Sequence, residues 1–149
     1  MTAMLEVTVD KFIFRVATDR YYNEEGVWAK PDGGRVRIGL SDFLQQRSGD
    51  VAFAELKPEG TDVHYGDEVA VIETIKVDIA LSSPVSGNVV EVNPAMEDAP
   101  EAINQDPYGA GWLAVIEASD WEAERSNLLD PEAYFARMKV EAENEVKKQ

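Results

Sequence analysis

Glu73-Thr-Ile-Lys-Val-Asp-Ile-Ala-Leu-Ser82 is followed at once by Ser83-Pro-Val-Ser-Gly-Asn-Val-Val-Glu-Val92. These two stretches decide how the fold and function of this chain are interpreted. The pattern predicts two short β-rich runs with Lys76 at the bend between them. Ile75 and Val77 are β-branched, and such residues favour extended backbone on both sides of the lysine. We expect a lysine held alone at such a tip to face other proteins and to pack against nothing of its own chain.

Other residues near Lys76 support this interpretation. Glu73 lies three positions before the lysine and Asp78 two positions after it, so acidic groups surround a single base. Gly66-Asp-Glu-Val69 opens the strand that leads to the bend, and residues 83–87 turn the returning chain again. An exposed amine framed in this way is what a post-translationally loaded carrier requires.

The composition indicates one strongly acidic domain. The chain has 149 residues, enough for one sizeable core, and a formal net charge of −15 from 29 acidic and 14 basic residues. Phosphate backbones would repel this surface, so no nucleic-acid partner is expected. The acidity serves either solubility or electrostatic steering toward basic partners, and composition alone leaves both open.

The chain contains no cysteine, so any redox chemistry must come from an attached group. This composition suits a cytoplasmic protein. Residues 1–7 lack a basic segment followed by an apolar one, so no signal peptide is expected. No apolar run approaches the ~20 residues that cross a bilayer, so no membrane partner is expected.

Alternating apolar residues in the first two thirds of the chain predict short strands separated by turns. The candidate strands are residues 5–9, 12–16, 27–29, 35–39, 51–56, 69–75, 77–81, 88–93 and 112–118. Turn formers such as Pro31-Asp-Gly-Gly34 and Pro58-Glu-Gly-Thr61 stand between them. Short strands with this punctuation indicate a compact β-barrel or sandwich.

Short helical segments interrupt the strands. Ser41 is predicted to cap a helix over residues 42–48, and Gly49 to end it. Asp98, with Glu101 three residues later, predicts a capping box that opens a brief turn.

A longer helix is predicted at the C-terminal end. Asp130 caps it, Pro131 takes its first position, and we expect it to fray after Val140, where charged residues take over. The expected organisation is an N-terminal arm or extra strand, a β domain, and a C-terminal helix packed on that domain, at residues 1–17, 18–130 and 131–149.

The lysine hairpin resembles that of the lipoyl- and biotin-carrier family, in which a cofactor ligase acylates the lysine at the tip. The resemblance implies a covalent cofactor on Lys76, attached by a lipoate-protein ligase or lipoyl transferase. The residues that such an enzyme would recognise are Glu73, Thr74, Ile75, Val77 and Asp78. Biotin carriers flank the lysine with methionines, which are missing here, so lipoate is favoured and biotin is the alternative. Lipoate would also supply the sulfur chemistry that this chain lacks.

Residues 18–136 resemble the H-protein of the glycine cleavage system more closely. The matching stretches are residues 36–42, 49–56, the lysine hairpin, and residues 83–93, 103–113 and 128–134. Pro107-Tyr108 with Gly111-Trp112 is a strong mark of this family, because simple lipoyl domains lack it. The resemblance implies a mainly β fold, the flattened barrel-sandwich hybrid of lipoyl carriers, with short added helices and a C-terminal helix.

Three positions depart from the glycine cleavage pattern as the family is known. Its glutamate before the family tryptophan is Val27, its histidine at the end of the first short helix is Arg47, and its aspartate four residues after the lysine is Ala80. Because two acids are lost and a cation is gained, we expect the pocket for the lipoyl arm to favour an anionic adduct over a cationic one.

This difference favours the H-protein-like lipoate-binding proteins that serve sulfur oxidation with a heterodisulfide-reductase-like complex. The leading hypothesis is a non-enzymatic carrier, with lipoamide on Lys76 as a swinging arm that moves a thiol-bound intermediate between enzymes. The alternative is a glycine cleavage H-protein that carries the aminomethyl group from glycine decarboxylase to aminomethyltransferase, with dihydrolipoyl dehydrogenase as a further partner.

No catalytic residue and no metal site are predicted. The single histidine, His64, lies in a turn-rich stretch and is interpreted as a solvated loop residue. The acidic tail with Glu141, Glu143 and Glu145 lacks metal-ligand spacing and is expected to form a solvated helical face. A purely structural module with unmodified Lys76 stays open at this point, and a carrier that visits several enzymes is expected to be a monomer.

Overall fold

The structure, a computed structural model, describes residues 2–148. Its strands, β1 to β11 in chain order, are Met4–Val9, Phe12–Ala17, Tyr21–Tyr22, Val27–Asp32, Arg35–Leu40, Val51–Leu56, Asp62–Val63, Glu68–Thr74, Asp78–Ser82, Gly87–Val92 and Ala114–Ala118. Its helices, α1 to α5, are Asp42–Ser48, Ala95–Asp98, Ala102–Gln105, Trp121–Glu124 and Pro131–Lys147, and a 3₁₀ turn covers Arg125–Asn127.

Within residues 2–148 the strands form two packed sheets and a separate hairpin. The larger sheet has the order β3-β4-β5-β11-β10-β7, the smaller one β6-β8-β9, and β1 pairs with β2. Side chains from both sheets meet in one apolar cluster that includes the fully buried Ile38, Ile72 and Ile116. Burial of one such side chain stabilises the fold by about 1.5–3 kcal/mol. This arrangement confirms the predicted mainly β fold and agrees with a barrel-sandwich hybrid.

Helix α1 follows the larger sheet and has the predicted boundaries. Ser41 Oγ accepts a hydrogen bond from the Leu44 amide at 3.2 Å, which satisfies one free donor at the start of the helix. Gly49 ends it with a φ of 94°, a backbone conformation that favours glycine. The helix therefore delivers Arg47, in its last turn, to the vicinity of the β8–β9 bend.

The N-terminal segment forms the β1–β2 hairpin, which packs with α5 on a second apolar cluster. The buried members of this cluster are Val9, Phe14, Val16, Tyr22, Trp28, Phe43, Tyr134, Met138 and Ala142. The cluster lies outside the core between the two sheets and joins both ends of the chain.

The prediction that the C-terminal helix frays after Val140 is wrong. Helix α5 continues to Lys147, with Ala142 only 2% exposed and Val146 packed against the second cluster. Met138, Ala142 and Val146 are spaced by four residues and therefore share one helix face. The β1–β2 hairpin covers that face, so the last turns have an apolar partner that the local sequence does not reveal.

The predicted capping box at Asp98 is also wrong. Asp98 is the last residue of α2, and the following short helix begins at Ala102 without a side-chain cap. Pro100 disfavours helical backbone at the residue before it, and Ala99 accordingly has φ −151° and ψ 63°. Helical backbone therefore stops after Asp98, at the position where a capping box would have to start a helix.

Smaller elements differ from the prediction where pairing partners are distant. Strands β3 and β7 and helix α4 were not expected, and the strand predicted from residue 112 begins at Ala114. Strand β3 has only two residues and pairs with β4, while β7 pairs with β10.

In the described residues 2–148, no helix has both the length and the apolar character needed to cross a bilayer.

Two buried tyrosines, Tyr22 and Tyr134, and the partly buried Tyr108 join the hairpin and α5 to the larger sheet. Tyr22 and Tyr134 stack with ring centroids 4.4 Å apart, and Tyr22 Oη donates to Ala17 O at 2.7 Å. Tyr108 Oη donates to Arg15 O at 2.7 Å. Burial raises the pKa of Tyr22 and Tyr134 well above the usual range and the pKa of Tyr108 to about 12. These hydroxyls therefore stay protonated near neutral pH.

Candidate functional site

Lys76 lies in the three-residue connection between β8 and β9, as predicted, and its side chain is exposed. The connection is closed by the amide of Thr74, which donates to Val77 O at 2.8 Å. On the outer side the Ile75 amide donates to Asp50 O at 3.1 Å, which ties the bend to the chain after α1.

The hydroxyl of Thr74 holds the bend from within. Thr74 Oγ1 accepts hydrogen bonds from the amides of Lys76 at 3.1 Å and Val77 at 3.0 Å. It donates to Ser48 O, 2.7 Å away at the end of α1. One side chain thus fixes the lysine backbone and its position relative to α1.

The lysine side chain does pack against its own chain, contrary to our expectation. Lys76 Nζ donates to Arg47 O at 3.3 Å, and its Cδ would lie 2.9 Å from a Cβ added to Gly49. Gly49 therefore leaves room for the methylene chain of the lysine. The ammonium lies at the C-terminal end of α1, where helix carbonyls carry partial negative charge.

Two apolar side chains flank the exposed amine. Ile75 is 76% exposed and Val77 45% exposed, so the tip presents apolar surface on both sides of the amine. Glu73 and Asp78 pair across β8 and β9 directly below the tip, and both are exposed. Four of the five residues predicted for ligase recognition are therefore exposed around the tip, and the fifth, Thr74, is half-buried.

A cleft of about 490 Å³ lies beside the bend and contains only part of the predicted arm pocket. Arg47 and Ala80 line it together with Val77 and Asp78. Val27 does not line it, because this side chain is fully buried in the core between the sheets. The prediction of Val27 as a pocket residue is therefore wrong.

Sequence reasoning missed Glu25, which also lines this cleft. Its carboxylate accepts hydrogen bonds from the Ser82 amide and the Ser82 hydroxyl, both at 2.9 Å. Asn23 holds the preceding turn, since its Oδ1 accepts from the amides of Glu25 and Val27. The turn pattern Asn23-Glu-Glu-Gly26 is the local signal that would have indicated it. With Glu25 and Asp78, the cleft has two carboxylates.

Arg47 is already paired with α5. Its guanidinium lies 2.9 Å from a Glu145 oxygen and 3.8 Å from a Glu141 oxygen. An anionic cargo would therefore have to compete with these two carboxylates for Arg47. Glu141 and Glu145, expected on a solvated helical face, remain partly exposed but also tie α5 to α1.

Gly26 occupies a position where a side chain would not fit. Its φ is 97°, and an added Cβ would lie 2.8 Å from Tyr134 Oη and 2.9 Å from Ser41 Oγ. Those two oxygens are hydrogen-bonded to each other at 2.8 Å. Any larger residue at this position would break the buried contact between the start of α1 and α5.

The segment around Pro107 is fixed by the second cluster. Trp28 Nε1 donates to Pro107 O at 3.0 Å, and the buried Arg20 donates to Tyr108 O at 3.0 Å. The Arg20 guanidinium also stacks 4.5 Å from the Trp28 ring centroid. Because the Tyr108 hydroxyl also contacts Arg15 O and the Asp42 amide, this segment braces the hairpin and α1.

His64 takes no part in the site. Its side chain is 85% exposed, and its Nδ1 lies 3.5 Å from an Asp67 oxygen in the same loop. Within the described residues 2–148, no group of three or more histidine, cysteine or acidic residues is arranged to hold a metal ion.

A sequence model of the family described as Glycine cleavage H-protein matches residues 20–141. A probable glycine cleavage system H protein of Natronomonas pharaonis is 45% identical over 125 residues, which are 84% of this chain and 98% of that protein. The glycine cleavage system H protein of Thermus thermophilus is 40% identical over 127 residues, 85% of this chain and 98% of that protein.

A solved structure is similar as well. The crystal structure of a glycine cleavage system H protein from Mycobacterium marinum matches with a TM-score of 0.73 at 32% identity, covering 80% of this chain and 96% of that chain. The family match contains the lysine bend and the cleft with Glu25. Residues 1–19 and 142–149 lie outside it.

Proposed function

The chain belongs to the glycine cleavage H-protein family, and from this membership we propose that it is a lipoyl carrier with Lys76 as its attachment residue. Proteins of this family carry lipoate covalently on a lysine and are not themselves catalysts. Bound lipoate supplies a dithiolane whose sulfur atoms take up and release a cargo, which no side chain of a cysteine-free chain does.

The observation that supports Lys76 most directly is its place on a braced, exposed bend. The Thr74 hydroxyl fixes the lysine backbone through its own hydrogen bonds, while the amine makes a single long contact to Arg47 O. A ligase can therefore reach the amine without disturbing the strands. Ile75 and Val77 present exposed apolar surface that a ligase can contact on either side of the amine. Their presence in place of methionine favours lipoate over biotin.

For the client enzymes we favour the glycine cleavage system over sulfur oxidation. The aminomethyl cargo bears an ammonium group, and a partly desolvated cation is stabilised by carboxylates. Glu25 and Asp78 supply two carboxylates in the cleft beside Lys76. The named relatives are glycine cleavage H proteins, which supports the same choice.

The sulfur-oxidation hypothesis loses its physical basis in the pairing of Arg47. An anionic cargo would have to compete with Glu141 and Glu145 for the guanidinium. A heterodisulfide-reductase-like complex therefore becomes the second candidate, favoured only by the replacement of the family aspartate by Ala80.

The carrier we propose works with a lipoate-protein ligase or lipoyl transferase, glycine decarboxylase, aminomethyltransferase and dihydrolipoyl dehydrogenase. A monomer in the cytoplasm suits a protein that visits these enzymes in turn. The net charge of −15 would speed its encounters with basic docking surfaces, and that advantage would fall as salt is added.

The deciding experiment offers lipoylated protein, checked by intact mass, to glycine decarboxylase with labelled bicarbonate. We expect label to enter glycine with the modified wild type and not with Lys76→Arg. Glu25→Gln should lower the rate by about tenfold, since it removes a charged partner worth ~1.5 kcal/mol. Glu24→Gln, the same change at the adjacent exposed residue, is the matched control and should leave the rate unchanged.

Two results would overturn parts of this proposal separately. A wild-type protein that never gains the lipoyl mass would contradict the carrier assignment. A fully lipoylated protein whose exchange is no faster than that of Lys76→Arg would contradict the glycine cleavage client and leave sulfur oxidation as the stronger candidate.

A further inference from the structure

A second pocket, of about 190 Å³, shares Arg47 with the cleft that contains Glu25 but is otherwise lined by different residues. Its apolar walls come from the β1–β2 hairpin, α1 and the end of α5. The wall residues are Phe12, Phe14, Phe43, Ala142 and Val146. Lys76 lines the same pocket, so the proposed attachment point of the lipoyl arm is part of its wall.

This pocket is built largely by residues outside the family match. Phe12 and Phe14 belong to the hairpin before residue 20, and Ala142 and Val146 follow residue 141. Helix α1 contributes Phe43, whose ring meets Phe14 edge to face at 5.3 Å between centroids. Apart from Phe43, these walls therefore lie beyond the stretch that the family model matches.

The shape and polarity of the pocket suit an uncharged sulfur ring with an alkyl chain. An apolar cavity of about 150 Å³ is large enough to hold benzene, and this pocket is somewhat larger. Aromatic ring edges make favourable contacts with sulfur. Phe12 and Phe14 present stacked rings, with centroids 6.2 Å apart.

The charged groups at the rim satisfy each other. Arg47 and Glu145 both line the pocket and form an ion pair at 2.9 Å. Gln46 Nε2 donates to Ile13 O at 2.9 Å, which closes the rim between α1 and the hairpin. Once Lys76 is acylated and neutral, a charged ligand would find no free charged partner in the pocket, whereas a neutral apolar ligand needs none.

We infer that this pocket docks the dithiolane end of the lipoyl arm on Lys76 between visits to client enzymes. The inference rests on the proposed attachment of lipoate to Lys76. It adds a resting place, separate from the cleft with Glu25, that this chain gains from its N-terminal hairpin and its extended C-terminal helix. Docking there shields the neutral disulfide from reductants while the arm carries no cargo.

The first test compares backbone amide spectra of the unmodified and lipoylated wild-type protein in the oxidised form. Intact mass first confirms lipoylation, so a failure of attachment is separated from a failure of docking. We expect the largest shifts, beyond the bend itself, at Phe12, Gln46 and Val146. Shifts confined to Glu25 and Ala80, or absent from both sites, would overturn the inference.

The second test fills the pocket. Val146→Trp places a large ring in it, and Val140→Trp is the matched control, because Val140 is 56% exposed on the same helix. The readout is the rate at which a soluble phosphine reduces the lipoyl disulfide, followed by the loss of dithiolane absorbance. A ring docked for about three quarters of the time is protected about fourfold.

We therefore expect Val146→Trp to be reduced about fourfold faster than the wild type, and Val140→Trp at the wild-type rate. Equal rates in all three proteins would overturn the inference. The amide spectra of the wild type decide the question if Val146→Trp does not fold.

Discussion

Two hairpins in the described part of the chain carry a lysine at the tip, and we expect only one of these lysines to be modified. Lys11 lies in the two-residue turn between β1 and β2, and Lys76 lies in the three-residue bend between β8 and β9. Both side chains are exposed. Exposure therefore does not distinguish them.

The surroundings of the two amines differ. Lys11 follows Asp10, which has a φ of 57°, and its Nζ lies 5.7 Å from the centroid of the Phe12 ring. Lys76 stands between two exposed β-branched residues on a backbone that Thr74 holds in place. From this comparison we expect a ligase to recognise a fixed bend flanked by apolar side chains, and not every accessible amine.

The largest effect is expected from exchanging each tip lysine for arginine, which keeps the charge and removes the nucleophile. Lys76→Arg should lose the lipoyl mass completely on co-expression with a ligase, whereas Lys11→Arg should keep it. Intact mass and peptide mapping measure the outcome. Modification that persists in Lys76→Arg, or that transfers to Lys11, would break the distinction between the two hairpins.

A smaller effect is expected from loosening the bend without touching the lysine. Thr74→Val keeps the β-branched shape and removes the hydroxyl, and the loss of about 1.5 kcal/mol of hydrogen bonding should slow lipoylation by about tenfold. Thr61→Val, which removes a hydroxyl that donates to Pro58 O in a distant turn, is the control. Equal ligation rates would show that the bend need not be held.

The contact between Lys76 and Gly49 can be tested by stability. Gly49→Ala and Gly60→Ala both place a side chain at positive φ, 94° and 91°, and each should cost of order 1–3 kcal/mol. Gly60 faces open space, while a Cβ at Gly49 lies 2.9 Å from Lys76 Cδ. In urea unfolding, Gly49→Ala should therefore lose about 1 kcal/mol more stability than Gly60→Ala does. An equal loss of stability in Gly49→Ala and Gly60→Ala would mean that the Lys76 side chain moves away from the new methyl group at no cost.

The smallest effect that we expect is the contribution of Asp19, which follows the β1–β2 hairpin, to the pH dependence of the free energy of unfolding. Burial alone would raise the pKa of Asp19, but the hydrogen bond and charge of Arg20 outweigh it and hold this pKa below its ordinary value. The resulting stability is present above about pH 4 and is lost as the pH falls through the lower folded value.

Because Asp19 is about one third exposed, we expect less than about 1 kcal/mol from it. Asp19→Asn should flatten the acid limb of the stability curve by that amount in urea titrations. An unchanged acid limb would show that the ion pair between Asp19 and Arg20 does not contribute to stability. The lysine bend between β8 and β9 should be unaffected by this substitution.

Local signals predicted the lysine bend and α1 correctly. Ile75, Val77 and the Ser41 cap act on residues within four positions of themselves, and the structure keeps them as expected. The end of α5 was missed because its partner is the hairpin more than a hundred residues earlier in the chain, and Ala142 gives no sign of that contact.

The candidate cleft was predicted only in part for the same reason. Val27 was assigned to it by its place relative to the family tryptophan, but the side chain of Val27 is buried in the core. Glu25 reaches the cleft through Ser82, which is 57 residues away in sequence. The charge of Arg47 was read correctly and its partners on α5 were not, because ion pairs between distant elements leave no local pattern.

The hydrogen bond from Lys76 Nζ to Arg47 O bears on how the protein tolerates two chemical forms. The proposed acylation would remove the positive charge from the C-terminal end of α1, yet the new amide would keep one N–H to donate to the same carbonyl. The apo and holo proteins should then differ by no more than about 1 kcal/mol, the worth of a charge at a helix terminus. Their melting temperatures should almost coincide, so newly made chains would persist intact while they wait for the ligase.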